Sequence, residues 1–181
     1  MINHEITMRL ATIADAETIA EFSRRTFYET FAPHNTTDDM ELFMNEQFTR
    51  QLLIEEVGVP SNIFFLAYAG AELAGYIKLR DGINPKELNG FGALEIARIY
   101  AAIEMIGKGV GNVLMQQAIN IAQEKNKEFV WLAVWKKNNR AIDFYTRWGF
   151  KKFGQQVFLL GRDVQKDWLM KKALRQDDKI G

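Results

Sequence analysis

Residues 93–135 constrain the fold most tightly. "ALEIARIYAA" runs into "IGKGVGNVL", then an amphipathic stretch, then "FVWLAVW". The last is a continuous apolar run of strand length, the pattern of a central strand buried on both faces. Between the two strand-like runs, Val110, Val113, Leu114, Ala118, Ile121 and Ala122 fall on one helical stripe. This is a βαβ unit. Three glycines, Gly107, Gly109 and Gly111, occupy five positions where its first strand turns into its helix. The apolar parity of that strand slips between Leu94/Ile96 and Ile99/Ala101, which fits either a bulge or burial on both faces.

The flanking segments complete an α/β (α+β) pattern. "EITMRLA" reads as a first strand. Thr12, with Asp15 three residues on, marks a helix start, and Ala16, Ile19, Ala20, Ser23 and Phe27 carry the helical spacing to about Tyr28. Two short helices follow "APHN", with caps near Thr36 or Thr37 and at Thr49. "NIFFLAYA" and "ELAGYIKLR" flank Gly70 as a hairpin, one face of the second strand apolar and the other mixed. "NNRAIDFYTRWGF" is a short helix with Asn at its start and Gly149 past its end. Strands near "FGQQVFLL" and "DWLMKKAL" close the chain around a Gly161-Arg162-Asp163 turn. The order is β α α(α) β β β α β α β β, read as a single domain over 1–181.

Composition excludes several function classes. Lys plus Arg and Asp plus Glu each total 23, so no strong net positive field recommends a nucleic-acid partner. Without cysteine the chain has no disulfide, thiolate nucleophile or Cys-ligated zinc. "MINHEITMRL" lacks a signal-peptide pattern, and the longest apolar run, "IFFLAYA", is far short of a membrane span. The expectation is a soluble cytoplasmic protein. His4 and His34 have no companions at metal-ligand spacing, so no metal is expected.

A strand, a tight glycine turn and a helix start together form an anion site, because the first helical N–H groups lack intrahelical partners and the macrodipole points its positive end there. Two nucleotide loops fail the test. A Walker A loop needs GxxxxGK[ST], and "GKGVGNVL" has neither the spacing nor the Lys-Ser/Thr pair. A dinucleotide fingerprint begun at Gly109 reaches Leu114 where its third glycine belongs, and the acidic residue expected about 20 positions on is absent. By itself the stretch serves equally well as a plain strand-to-helix connection.

A second motif separates these readings. Asn138, Ala141, Ile142, Phe144, Tyr145, Gly149 and Phe150 fit N-x-x-A-[IV]-x-[FL]-Y-x-x-x-G-F, downstream of a glycine turn approaching [QR]-x-x-G-x-[GA]. Together the two motifs resemble the GNAT superfamily of N-acetyltransferases. "LEIARIY", "WLAVWKKNNRAIDFY", "TFYETF" and "DDMELFMNEQF" are similar to its PaiA branch of polyamine (spermidine/spermine) N-acetyltransferases. The resemblance implies a mixed sheet of about seven strands, splayed between the fourth and fifth, with helices on both faces. It implies acetyl-CoA in the splay, its pyrophosphate on Gly107, Lys108, Gly109, Val110, Gly111 and Asn112, and its pantetheine along the backbone of Ile99, Tyr100 and Ala101. Asn138 would bond the pantetheine side or serve as a helix cap. Tyr145 would protonate the departing thiolate; without the motif it reads as a core aromatic.

The implied acceptor is a small-molecule primary amine, a polyamine first, attacking the thioester directly; a protein or peptide acceptor and a non-catalytic acyl-CoA regulator are the alternatives. Family members also form homodimers. Glu95 is the one carboxylate in the strand before the glycines. It is a candidate base or substrate anchor, or else one half of a salt bridge to Arg98 or to a neighbouring strand. Glu29, Asp38, Asp39, Glu41 and Glu46 could attract a polyamine or simply solvate helix faces. Ile106 departs from the family's Gln or Arg, which implies weaker cofactor binding.

Overall fold

The computed structural model describes residues 5–174. Seven strands form one sheet: β1 (Ile6–Leu10), β2 (Asn62–Ala69), β3 (Glu72–Asp81), β4 (Ala93–Ala101), β5 (Phe129–Trp135), β6 (Lys151–Leu160) and β7 (Asp163–Ala173). The order is β1-β2-β3-β4-β5-β7-β6. Every neighbouring pair is antiparallel except β4 and β5. The helices are α1 (Ala16–Phe31), α2 (Thr37–Leu42), α3 (Arg50–Glu55), α4 (Val110–Glu124) and α5 (Asn139–Arg147).

Local chemistry accounts for most boundaries. The Thr36 and Thr49 hydroxyls accept hydrogen bonds from Asp39 N and Leu52 N, starting α2 and α3 where free N–H groups need partners. A single turn of 3₁₀ helix (Ile13–Asp15) precedes α1, so the α-helix both starts and ends later than the spacing suggested. The segment after α2, Phe43–Gln47, continues as a π-helical turn rather than as α-helix. β7 begins at Asp163, four residues before the expected strand "DWLMKKAL", and absorbs the last residue of the expected turn.

The slip in β4 is a bulge. Ile96 lies opposite Leu79 and Arg98 opposite Lys78, leaving Ala97 as the extra residue. On one face, Leu94, Ile96, Ile77 and Leu79 pack with Leu114, Met115 and Ala118 of α4. On the other, Tyr76 packs with Ile19 and Phe22 of α1. The mixed face of β3 is therefore also buried: Tyr76 is 0% and Lys78 3% exposed. Helices cover both faces, which is why charged residues of β3 and β4 must find partners within the fold.

The N-terminal helices are fastened to the far end of the sheet. Gly161 opens the β6–β7 turn at φ +62°, and a Cβ there would lie 2.5 Å from the backbone oxygen of Asp39. Arg162 N donates to the Asp39 carboxylate at 2.8 Å, and Gln165 Nε2 donates to Asn35 Oδ1 at 2.6 Å. Only glycine permits that approach and that φ together. Among the described residues no helix is long and apolar enough to cross a membrane.

Candidate functional site

The parallel pairing of β4 and β5 covers only Ala93↔Phe129, Leu94↔Val130 and Glu95↔Trp131. Both strands continue beyond it without each other. Ile99, Tyr100 and Ala101 pair with Ile77, Tyr76 and Gly75 on the β3 side and with no strand on the other. Backbone groups alternate in direction along an antiparallel ladder, so every second residue here turns its N–H and C=O toward the gap. Gly75 makes this close geometry possible. A Cβ on it would lie 2.6 Å from Val110 Cγ1 and 2.7 Å from Tyr100 O.

The glycine turn stands at the mouth of the gap. Gly107 and Gly109 have φ of +80° and +91°, and Gly109 is the N-cap of α4 without any side-chain cap. Asn112 N and Val113 N return to Gly109 O. Among the described residues, the N–H groups of Gly107, Gly109, Val110 and Gly111 reach no backbone acceptor. A Cβ on Gly107 or Gly109 would meet no atom within 4 Å, so protein packing is not what demands glycine there. The arrangement is a set of free donors at the positive end of a helix dipole, open to an anion.

Lys108 is exposed beside them, and Ile106 is 39% exposed. The Asn112 side chain is engaged: its Oδ1 accepts from Trp148 Nε1 at 3.1 Å, tying α4 to α5.

Asn138 caps α5, its Oδ1 accepting from Ala141 N at 3.2 Å, which leaves its side-chain N–H groups free for another partner. Tyr145, on the following turns, is 8% exposed and packs against Phe144 and Phe150. Its hydroxyl donates to no acceptor among the described residues. Burial raises the phenol pKa, so the group holds its proton well above neutral pH.

Glu95 is placed differently from a free carboxylate. It sits at the last paired rung, and Arg80 of β3 grips both its oxygens at 2.6 and 3.0 Å. The neighbouring-strand salt bridge is thus the arrangement found. Arg98 is drawn instead to Glu56, 2.7 and 2.8 Å away, which also pairs with Lys78 at 3.1 Å. Tyr100, stacked on Tyr76, has its pKa raised by burial above all, with Arg98 opposing the rise and Asp167 adding to it.

Asp167 carried no signal in the sequence, where it only opened an expected strand. In the fold it lies opposite Trp135, the end of β5, and is 7% exposed. Asp38, Asp39, Glu41 and Glu46 do gather, with Arg162, around one cleft of about 300 Å³ beside the β6–β7 turn. Glu29 is not among its lining residues. His34 packs against Trp135, ring centroids 5.9 Å apart, and His4 lies outside the described residues. No group of three or more His, Asp or Glu able to hold a metal occurs among the described residues.

The chain as a whole is similar to known proteins. A spermidine N(1)-acetyltransferase of Thermoplasma acidophilum is 29% identical over 150 residues, spanning 81% of this chain and 88% of the relative. An uncharacterized N-acetyltransferase in the pepI 3' region of Lactobacillus delbrueckii subsp. lactis is 37% identical over 153 residues, spanning 84% and 88%. The crystal structure of PaiA N-acetyltransferase from Thermoplasma acidophilum in complex with coenzyme A superposes with a TM-score of 0.75. It is 25% identical, covering 94% of this chain and 99% of that one. The family model described as Acetyltransferase (GNAT) family matches residues 17–150. On the motifs, the seven-stranded sheet parted after Glu95 and these matches, the chain belongs to the GNAT acetyltransferase family.

Proposed function

We propose that this protein transfers the acetyl group of acetyl-CoA to a primary amine of a small molecule, a polyamine before other amines. The observation that carries the reading is the parting of β4 and β5 just beyond Glu95 and Trp131, with open N–H donors of the glycine turn at one end. Acetyl-CoA, when bound, supplies an activated acyl group as a thioester. The N–H groups of Gly107, Gly109, Val110 and Gly111 hold its pyrophosphate, with Lys108 adding charge. The backbone groups of the Ile99, Tyr100 and Ala101 stretch that turn toward the gap hold the pantetheine arm, and the free N–H groups of Asn138 contact it from α5. Asn112 acts indirectly, by setting α4 against α5 through Trp148. Tyr145 supplies the proton for the departing thiolate. Glu95, held by Arg80 at the closed end of the gap, keeps β3 and β4 in register there. The missing polar side chain at Ile106 removes one contact and leaves the backbone donors in place.

The polyamine preference is supported by the name of one relative, a spermidine N(1)-acetyltransferase, and by the acidic cleft beside the β6–β7 turn, whose field favours a polycation. Release of free CoA with spermidine, compared with amino acids, aminoglycosides and N-terminal peptides, tests it. Turnover greatest with spermidine or spermine is the expected result; turnover confined to peptides would replace the small-molecule acceptor with a protein one. Gly109→Ala tests the cradle. It should weaken acetyl-CoA about 10-fold or more by calorimetry, while the strained φ costs about 1 kcal/mol of stability. Unchanged affinity would remove the turn from the cofactor site.

A further inference from the structure

Asp167 is a buried carboxylate without a cationic partner. It is 7% exposed, and its one hydrogen bond among the described residues comes from Gln156 Nε2 at 3.5 Å, the limit of such a bond. No ion pair of the described residues includes it. Glu95, Glu56 and Asp81, the other carboxylates turned into the sheet, are each met by Arg or Lys. A charge left unpaired in such a place costs free energy unless a ligand brings the counter-charge.

Its position relates it to the gap. Asp167 shares its face of β7 with Gln165 and Leu169, while Trp168 and Met170 point the other way, into the core under α4. Gln165 bonds Asn35, so this is the face covered by the N-terminal helices. In register, Asp167 lies beside Trp135, four rungs beyond Trp131, where β5 has already left β4. On the other side of the gap stands Tyr100, whose pKa burial raises and the Asp167 carboxylate raises further. Tyr145 belongs to the core on the opposite face. Tyr145 and Asp167 therefore lie on opposite faces of the sheet near the parted ends of β4 and β5.

We propose that Asp167 is the acceptor-binding carboxylate of this site: it pairs with the ammonium of the amine to be acetylated and takes the proton that ammonium must lose. R–NH3⁺ and the Asp167 carboxylate become R–NH2 and the neutral acid, freeing the nitrogen lone pair for attack, and the proton passes to solvent afterwards. Burial raises the Asp167 pKa while Gln156 opposes that, bringing the acid closer to the proton it receives. The inference rests on the acetyltransferase reading and adds to it a requirement for a cationic acceptor.

Asp167→Asn separates the two claims. With whichever amine of the panel the wild type acetylates best, the variant should lose about 100-fold in kcat/KM for the amine. Its affinity for acetyl-CoA should stay within about twofold. A loss below threefold would overturn the assignment even though the enzyme is an acetyltransferase. A second arm needs no acceptor. Removing an unpaired buried charge should raise the melting temperature at pH 7 by about 3 °C, whereas a structural carboxylate would leave the variant less stable and overturn the inference. If the wild type acetylates nothing in the panel, the acetyltransferase reading fails and the melting result alone decides whether Asp167 awaits a counter-charge.

Discussion

Tyr145→Phe should lower kcat about 100- to 1000-fold with both substrates saturating, the largest effect expected of any single hydroxyl in this protein. The ring and the hydroxyl have separable roles. The ring is buried among Phe144, Phe150 and the α4 core, and phenylalanine fills the same space. The hydroxyl serves no acceptor among the described residues, so its removal orphans no partner and should change stability by less than about 0.5 kcal/mol. Burial holds the phenol pKa above its ordinary 10.0. It is therefore protonated throughout the working range, as an acid for a departing thiolate must be. Rates of CoA release, acetyl-CoA affinity by calorimetry and melting temperature together check the claim. A kcat within threefold of wild type would leave Tyr145 as a core aromatic only.

The elements legible in the sequence were those whose signals are local. "NIFFLAYA" is β2 to the residue, because a two-residue turn at Gly70 and an abrupt change of period bound it. The β4 bulge was visible as a parity slip, since an extra residue shifts every later side chain to the other face. A cap at Thr49 and one at Thr36 or Thr37, which the fold places at Thr36, were visible because capping is a contact over three residues.

What could not be read depends on distant chain. Nothing inside "FVWLAVW" says that its pairing with β4 stops at Trp131; only the resemblance to a family supplied the parting. Along a regular strand Glu95 and Arg98 would point to opposite faces, which argues against pairing them. The bulge brings both to one face, yet Arg80 and Glu56, from elsewhere in the chain, claim them first. Asp167 stayed invisible because its burial comes from helices fastened to β7 by contacts such as Asn35 to Gln165, 130 positions apart.

Glu56 offers the largest expected effect on stability. At the end of α3 its two oxygens receive both arms of Arg98 and the Lys78 ammonium, so one carboxylate balances two cations inside the fold. Lys78 is 3% exposed, and Arg98 lies over the Phe48 ring. Replacing Glu56 by Gln keeps the shape and leaves two like charges facing each other with little water. Breaking such a pair costs about 3 kcal/mol, or roughly 6–12 °C in melting temperature for a chain of this size. The cost is bounded because Lys78, whose pKa is already lowered by burial and by Arg98, can shed its proton. The pH dependence follows from Glu56 itself. Burial alone would raise its pKa, but Arg98 and Lys78 outweigh burial and hold it below the ordinary 4.5. A depressed carboxylate pKa contributes stability that is present in full above 4.5 and is lost as pH falls through the folded value. The melting gap between wild type and Glu56→Gln should therefore be constant from pH 7 down to about pH 5 and close below pH 4.5. Arg98 stands two residues before Tyr100, so the same ion pairs steady the open half of β4, and a gap that persisted undiminished in acid would mean that the Glu56 charge is not what holds Arg98 and Lys78 in place.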